Sequence, residues 1–148
     1  MITAVVLTGR RISRRRLRRR LASAGYAALG DEPLHVSRNG RGIIEVAAVD
    51  PAGLPERAAG SARQLLGMSP RYGLLCSFAG EAGATEEWAT MVAVARAVAA
   101  DVPLAVVDDL IGTAYLVHPG RGLIGPEEYG PLRGRMSTSD VLRRMLGG

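Results

Sequence analysis

The chain has 148 residues, 47% of them hydrophobic and 22% charged, with nineteen basic against fourteen acidic side chains and a net charge of +5. That length makes one domain the simplest reading and buries roughly two-thirds of the surface of the unfolded chain, so no metal or disulfide staple is required. The lone Cys76 excludes an internal disulfide. With no apolar run near ~18 residues and no signal-peptide pattern, a cytoplasmic protein without membrane contact is expected.

All nineteen bases are arginine, a choice that a GC-rich genome explains as well as guanidinium chemistry does. Their clustering is informative. Arg10, Arg11, Arg14, Arg15, Arg16, Arg18, Arg19 and Arg20 carry +8, which leaves eleven arginines against fourteen acids, a balance of −3, in the rest of the chain. The protein reads as a mildly acidic body with one strongly basic element.

Ile2 to Thr8 predicts a strand, short, rich in Val and Ile, ended by Gly9, and apolar enough to be covered on both faces. Ser13 is placed to cap a helix beginning at Arg14, with Ile12 closing on Leu17 as a hydrophobic staple. Leu17, Leu21 and Ala24 form its apolar stripe, Arg15 and Arg19 lie opposite, and Gly25 fits the position just past its end. A loop is expected through Gly30 to Pro33.

Leu34 to Arg38 and Gly42 to Val49 flank Asn39-Gly40, the dipeptide that best accepts the two positive φ angles of a type I′ turn. Pro55 suits the first position of a second helix, with Ala58, Ala59, Ala62, Leu65 and Leu66 on its apolar face and Gly67 as its stop. Tyr72 to Ala79 returns as a strand. The order βαββαβ predicts an α/β (α+β) two-layer protein with a ferredoxin-like core over residues 2–79, an antiparallel sheet with both helices on one face.

An extension over 80–129 and a tail over 130–148 complete the single domain. Thr85 is expected to cap a third helix through Trp88, Met91, Val92, Ala95, Val98 and Ala99, with Glu86 and Glu87 at its positive end. Leu104 to Val107 and Thr113 to Val117 read as short strands, 121–134 as loop, and Val141 to Leu146 as a last short helix. Because the strands are apolar on both faces, something must cover the face the two helices leave open. The C-terminal stretch or a second copy of the chain is expected there.

No catalytic residue, metal ligand or cofactor site is assigned. Cys76 sits in an apolar strand, where a thiol is packing, and His35 and His118 lack companions at ligand spacing. The candidate partner-binding residues are Arg14, Arg15, Arg16, Arg18, Arg19 and Arg20, which suit an acidic protein surface or a nucleic-acid backbone, or else pair with Asp31, Glu32 and Asp140 as a solvated face. The aromatic platform of an RNA-binding ferredoxin-like sheet is missing.

Two segments carry resemblances. VSRNGRGIIEVAAVD, from Val36 to Asp50, is similar to the hairpin of acylphosphatases, ferredoxin-like enzymes in which an Arg before the first helix and an Asn hold the phosphate and the attacking water. The resemblance implies a phosphate-handling hydrolase using Asn39, although TGRRISRRR stands here in place of the family's glycine-rich cradle. LAVVDDLIGTAYLVHPGRGLIGPEEY, from Leu104 to Tyr129, resembles small actinobacterial proteins that include immunity proteins of polymorphic toxin systems, which implies a binding protein. The expected function is therefore a non-catalytic cytoplasmic binding or accessory protein using the basic helix and an apolar sheet face. A nucleic-acid-binding module comes second, and a small hydrolase third.

Overall fold

Strand β1, Ile2–Thr8, is hydrogen-bonded on both edges and carries apolar side chains to both faces of an antiparallel sheet. The computed structural model describes residues 2–78, 84–99, 104–108, 114–118 and 122–124. After β1 come α1 (Arg14–Ser23), β2 (Ala27–Gly30), β3 (Leu34–Arg38) and β4 (Arg41–Val49). A 3-10 turn (Pro51–Gly53), α2 (Glu56–Leu66), β5 (Tyr72–Phe78), α3 (Ala84–Ala99), β6 (Leu104–Asp108), β7 (Ala114–His118) and β8 (Gly122–Ile124) follow. The strands form one sheet in the order β2-β3-β4-β5-β1-β6-β7-β8, with every neighbouring pair antiparallel.

This order departs from the ferredoxin-like arrangement that the βαββαβ reading predicts. There the second strand of the hairpin would lie against β1; here β5 lies between them, pairing Cys76 with Val46 on one side and with Ala4 on the other. The residues after α1, expected as loop, form the edge strand β2, and it is β2 that runs parallel to β1 across the sheet. Two crossovers organise the fold: β1-α1-β2, which spans three intervening strands, and β5-α3-β6, which spans β1 alone. Helix α2 is no crossover. It is an excursion between the antiparallel neighbours β4 and β5, which end and begin on the same side of the sheet at Val49 and Gly73.

The helices sit on opposite faces. Ala4, Val6, Val36, Ile44, Val46 and Cys76 pack against Leu17 and Leu21 of α1 and Met91, Val94, Ala95 and Val98 of α3. Val5, Leu7, Ala105 and Val107 pack against Ala62 and Leu66 of α2. Both faces of β1 are buried, as its composition predicts, and among the described residues α2 packs on the second face of this region; most of the C-terminal stretch expected there lies outside the described residues. Burial of a Leu or Val side chain contributes about 1.5–3 kcal/mol, so this two-sided packing makes the central strands the most strongly held part of the sheet.

Local signals hold closely. Asn39 and Gly40 both take positive φ, 52° and 73°, which bears out the hairpin turn. Gly67 ends α2 in the left-handed region, and Pro55 stands one residue earlier than expected, as its N-cap. In α2, Ala62 is buried and Ala59 and Leu66 are half-buried, while Ala58 and Leu65 lie outside the described side chains. Helix α3 begins one residue before Thr85, with Met91, Val92, Ala95 and Val98 buried as expected; Trp88 and Ala99 lie outside the described side chains. Gly122–Ile124, inside a segment expected as loop, is strand β8 paired to β7. The expected helix over 141–146 and Asp140 lie outside the described residues.

Candidate anion-binding surface

Helix α1 is fixed at both ends by the residues its sequence supplies. The Ser13 hydroxyl oxygen accepts the Arg16 amide at 3.2 Å, and Ile12 packs on the core beside Leu17. At the other end Gly25, at φ 87°, lets its own amide reach the Ala22 carbonyl at 3.0 Å and the Tyr26 amide reach that of Leu21 at 2.9 Å, closing the last turn. Leu17 and Leu21 are buried on the inward stripe, and Arg15, Arg16 and Arg19 are exposed.

Five of the six candidate arginines divide into two groups. Arg14 forms an ion pair with Glu32, whose other carboxylate oxygen accepts the Ala48 amide at 2.9 Å. Arg18 donates to the Gly30 carbonyl and lies 3.6 Å from Asp31. Arg20 donates to the Ala97 carbonyl of α3 at 2.8 Å. These three flank the apolar stripe and tie α1 to β2, the β2–β3 loop and α3, and the pairing of Asp31 and Glu32 accounts for part of the cluster as a local ion-pair network. On the outward face, Arg15 and Arg19 stand one turn apart, and neither guanidinium has a hydrogen-bond or ion-pair partner among the described residues.

A second concentration of charge lies beneath the N-terminus of α1. The buried Thr8 hydroxyl donates to the Arg10 carbonyl at 2.6 Å and its oxygen accepts the Arg10 amide at 2.8 Å, while the Thr8 carbonyl accepts the Arg71 amide at 3.0 Å. Thr8 thus sets the start of the β1–α1 loop beside the start of β5. Between them opens a cleft of about 490 Å³, lined by Arg10, Arg11, Arg14 and Arg71, with Ile12, Leu17, Val49, Tyr72 and Leu74 among its apolar lining. Asp50 is the one acid in that lining, and one of its carboxylate oxygens accepts the Ala52 amide at 3.0 Å.

Arg71 carried no signal in the sequence, since it joins Arg10 only through the pairing of Thr8 with Tyr72. His35 has no companion at ligand spacing in the chain and meets one only through strand pairing. Across the β3–β4 pair its Nε2 lies 3.4 Å from Glu45 Oε1, on an exposed stretch of sheet that also presents Leu29 and Ile43, 66% and 54% exposed. That stretch belongs to the α2 face, so the basic helix and the exposed apolar sheet surface, joined in the sequence reading as one interface, lie on opposite sides of the sheet. Burial pushes the Cys76 thiol up to about 12, which leaves it protonated and unreactive near neutral pH. Asn39 stands in the hairpin turn, away from the cleft lining.

No protein-family model matches the chain, and neither the curated proteins nor the solved structures contain a match to it. No helix among the described residues is long and apolar enough to cross a membrane.

Proposed function

We propose that this is a non-catalytic binding protein that engages an acidic protein surface through the outward face of α1. The observation that carries the reading is the division of the arginines: Arg14, Arg18 and Arg20 anchor the helix, while Arg15 and Arg19 are exposed without an acidic partner among the described residues. Uncompensated cations spaced one turn apart repel each other, and those in the first turn also oppose the helix dipole. An anionic surface laid on this face reverses both terms. The anchoring contacts mean that little helix ordering remains to be done on binding, which lowers the entropic cost of association.

Capture from native cytosol tests this, comparing wild type with the Arg15→Glu and Arg19→Glu double variant before and after nuclease treatment. Acidic proteins retained by wild type through nuclease treatment and lost by the variant support the proposal. Loss of the wild-type partners on nuclease treatment transfers the surface to nucleic acid, whose binding falls by orders of magnitude between low and moderate salt. Equal recovery by both chains returns α1 to a solvated face and sinks the proposal.

A further inference from the structure

The cleft beneath α1 is a partly apolar hollow with four arginines, Arg10, Arg11, Arg14 and Arg71, in its lining and Asp50 as the single acid there. Arg10, Arg11 and Arg71 are exposed, and their side chains have no acidic partner among the described residues. Arg14 turns one amino group to Glu32, while its Nη1 is shielded from solvent without an acceptor. A guanidinium donor withdrawn from water and left unpaired is costly, and a turn of the Arg14 side chain toward an acceptor in the cleft would relieve that cost. The hollow, about 490 Å³, lies within the range of small-molecule sites.

We infer that this cleft binds a small phosphomonoester with an apolar or planar body. A single carboxylate satisfies one guanidinium fork, whereas the dianionic phosphoryl group presents three terminal oxygens and can engage several at once. The apolar lining, with Tyr72 43% exposed and Leu74 beside it on the same strand, gives the rest of the molecule a surface to lie on. A phosphodiester of a nucleic-acid backbone presents only two terminal oxygens and a single negative charge, so it satisfies fewer of these donors. The site is separate from the outward face of α1 and does not depend on how that face is used.

Isothermal titration of the full chain at low salt, with 5′-AMP and phenyl phosphate as probes, tests it. Adenosine and phenol supply the bodies alone, and inorganic phosphate the head alone. Both phosphomonoesters are expected to bind at least about tenfold more tightly than inorganic phosphate, with no detectable heat from adenosine or phenol. The Arg10→Ala and Arg71→Ala double variant, which changes exposed side chains only, is expected to lose about tenfold or more, since each charge-assisted hydrogen bond contributes on that scale. Tyr72→Ala should weaken the phosphomonoesters and leave inorganic phosphate unchanged. Arg15→Ala with Arg19→Ala should shift nothing by more than about twofold, so this inference and the protein-binding proposal can fail separately. Absence of heat with both phosphomonoesters would overturn the inference. Inorganic phosphate binding as tightly as they do, or equal losses in the two arginine double variants, would do the same.

Discussion

Arg14 and Glu32 meet as an ion pair at the junction of α1 with the β2–β3 loop, and Glu32 also holds the backbone of β4 by accepting the Ala48 amide. The Arg14 side chain is 30% exposed and that of Glu32 51%, so water screens the pair and its net contribution is under about 1 kcal/mol. Glu32→Gln keeps the acceptor for Ala48 and removes the charge. Thermal unfolding should shift by a few degrees at most. In the titration above, releasing Arg14 should raise phosphomonoester affinity by about two- to fivefold. A large loss of stability would show that the pair does more for folding than its exposure allows.

Gly42 is held at φ +60° where β4 passes the first turn of α3. A methyl group there would lie 2.5 Å from the Glu86 carbonyl oxygen and 2.8 Å from Thr90 Oγ1. Gly40, at φ +73°, has open space around the same position. Gly40→Ala should therefore cost only the conformational term of about 1–2 kcal/mol, and Gly42→Ala distinctly more, because a helix carbonyl cannot step aside as a flexible side chain can. Equal midpoints for the two variants in urea would place α3 farther from β4 than the structure does.

Ala62 of α2 is fully buried in the cluster with Val5, Leu7, Ala105 and Val107, while its neighbour Gln64 is exposed. Ala62→Leu should destabilise by about 1–3 kcal/mol through overpacking, and Gln64→Leu should be nearly neutral. A neutral Ala62→Leu, measured by chemical denaturation, would contradict the covering of this face by α2.

The Cys76 thiol has its pKa raised by burial from 9.0 to about 12, so the folded state holds this proton more tightly than the unfolded state. Between those values the unfolded chain binds fewer protons, and stability should fall as pH rises through 9 toward 12. Below about pH 8 this group is protonated in both states and contributes no pH dependence to stability. Cys76→Ala should flatten the alkaline limb of the stability profile. Native protein should resist iodoacetamide at pH 8 and react once unfolded; rapid labelling of the native chain would show that the thiol is accessible.

Much of the local structure was legible in the residues because the forces that set it act over a few positions. Ser13 and Gly25 bound α1 through their own hydrogen bonds and φ angle, Asn39-Gly40 turns the hairpin, and Gly67 stops α2. The strand β2 was missed because Ala27–Gly30 has only one large apolar residue, Leu29, and that side chain is exposed; its assignment rests on the ladder it forms with β3. Asp31 and Glu32 were legible as acids close in chain to the arginine helix, but which arginine each meets, Arg18 and Arg14, came only with the fold. Arg71 carried no such signal, since its approach to Arg10 runs through the pairing of Thr8 with Tyr72.

By itself, the sequence determined an α/β chain built from a two-sided apolar first strand, an arginine-covered helix capped by Ser13 and Gly25, a tight hairpin at Asn39-Gly40, and an acidic remainder against which that helix stands out. Strand order was decided only by the tertiary structure. Apolar strands such as β4 and β5 present compatible edges to several neighbours, and no local signal distinguishes β5 between β4 and β1 from the hairpin lying directly on β1. That choice sends α2 to the opposite face from α1 and α3, and it lays the end of β4, with Val49 and Asp50, beside the start of β5 in the cleft lining. The outward arginines of α1 follow from helical period, whereas the cleft exists only because β1, β4 and β5 end side by side beneath it.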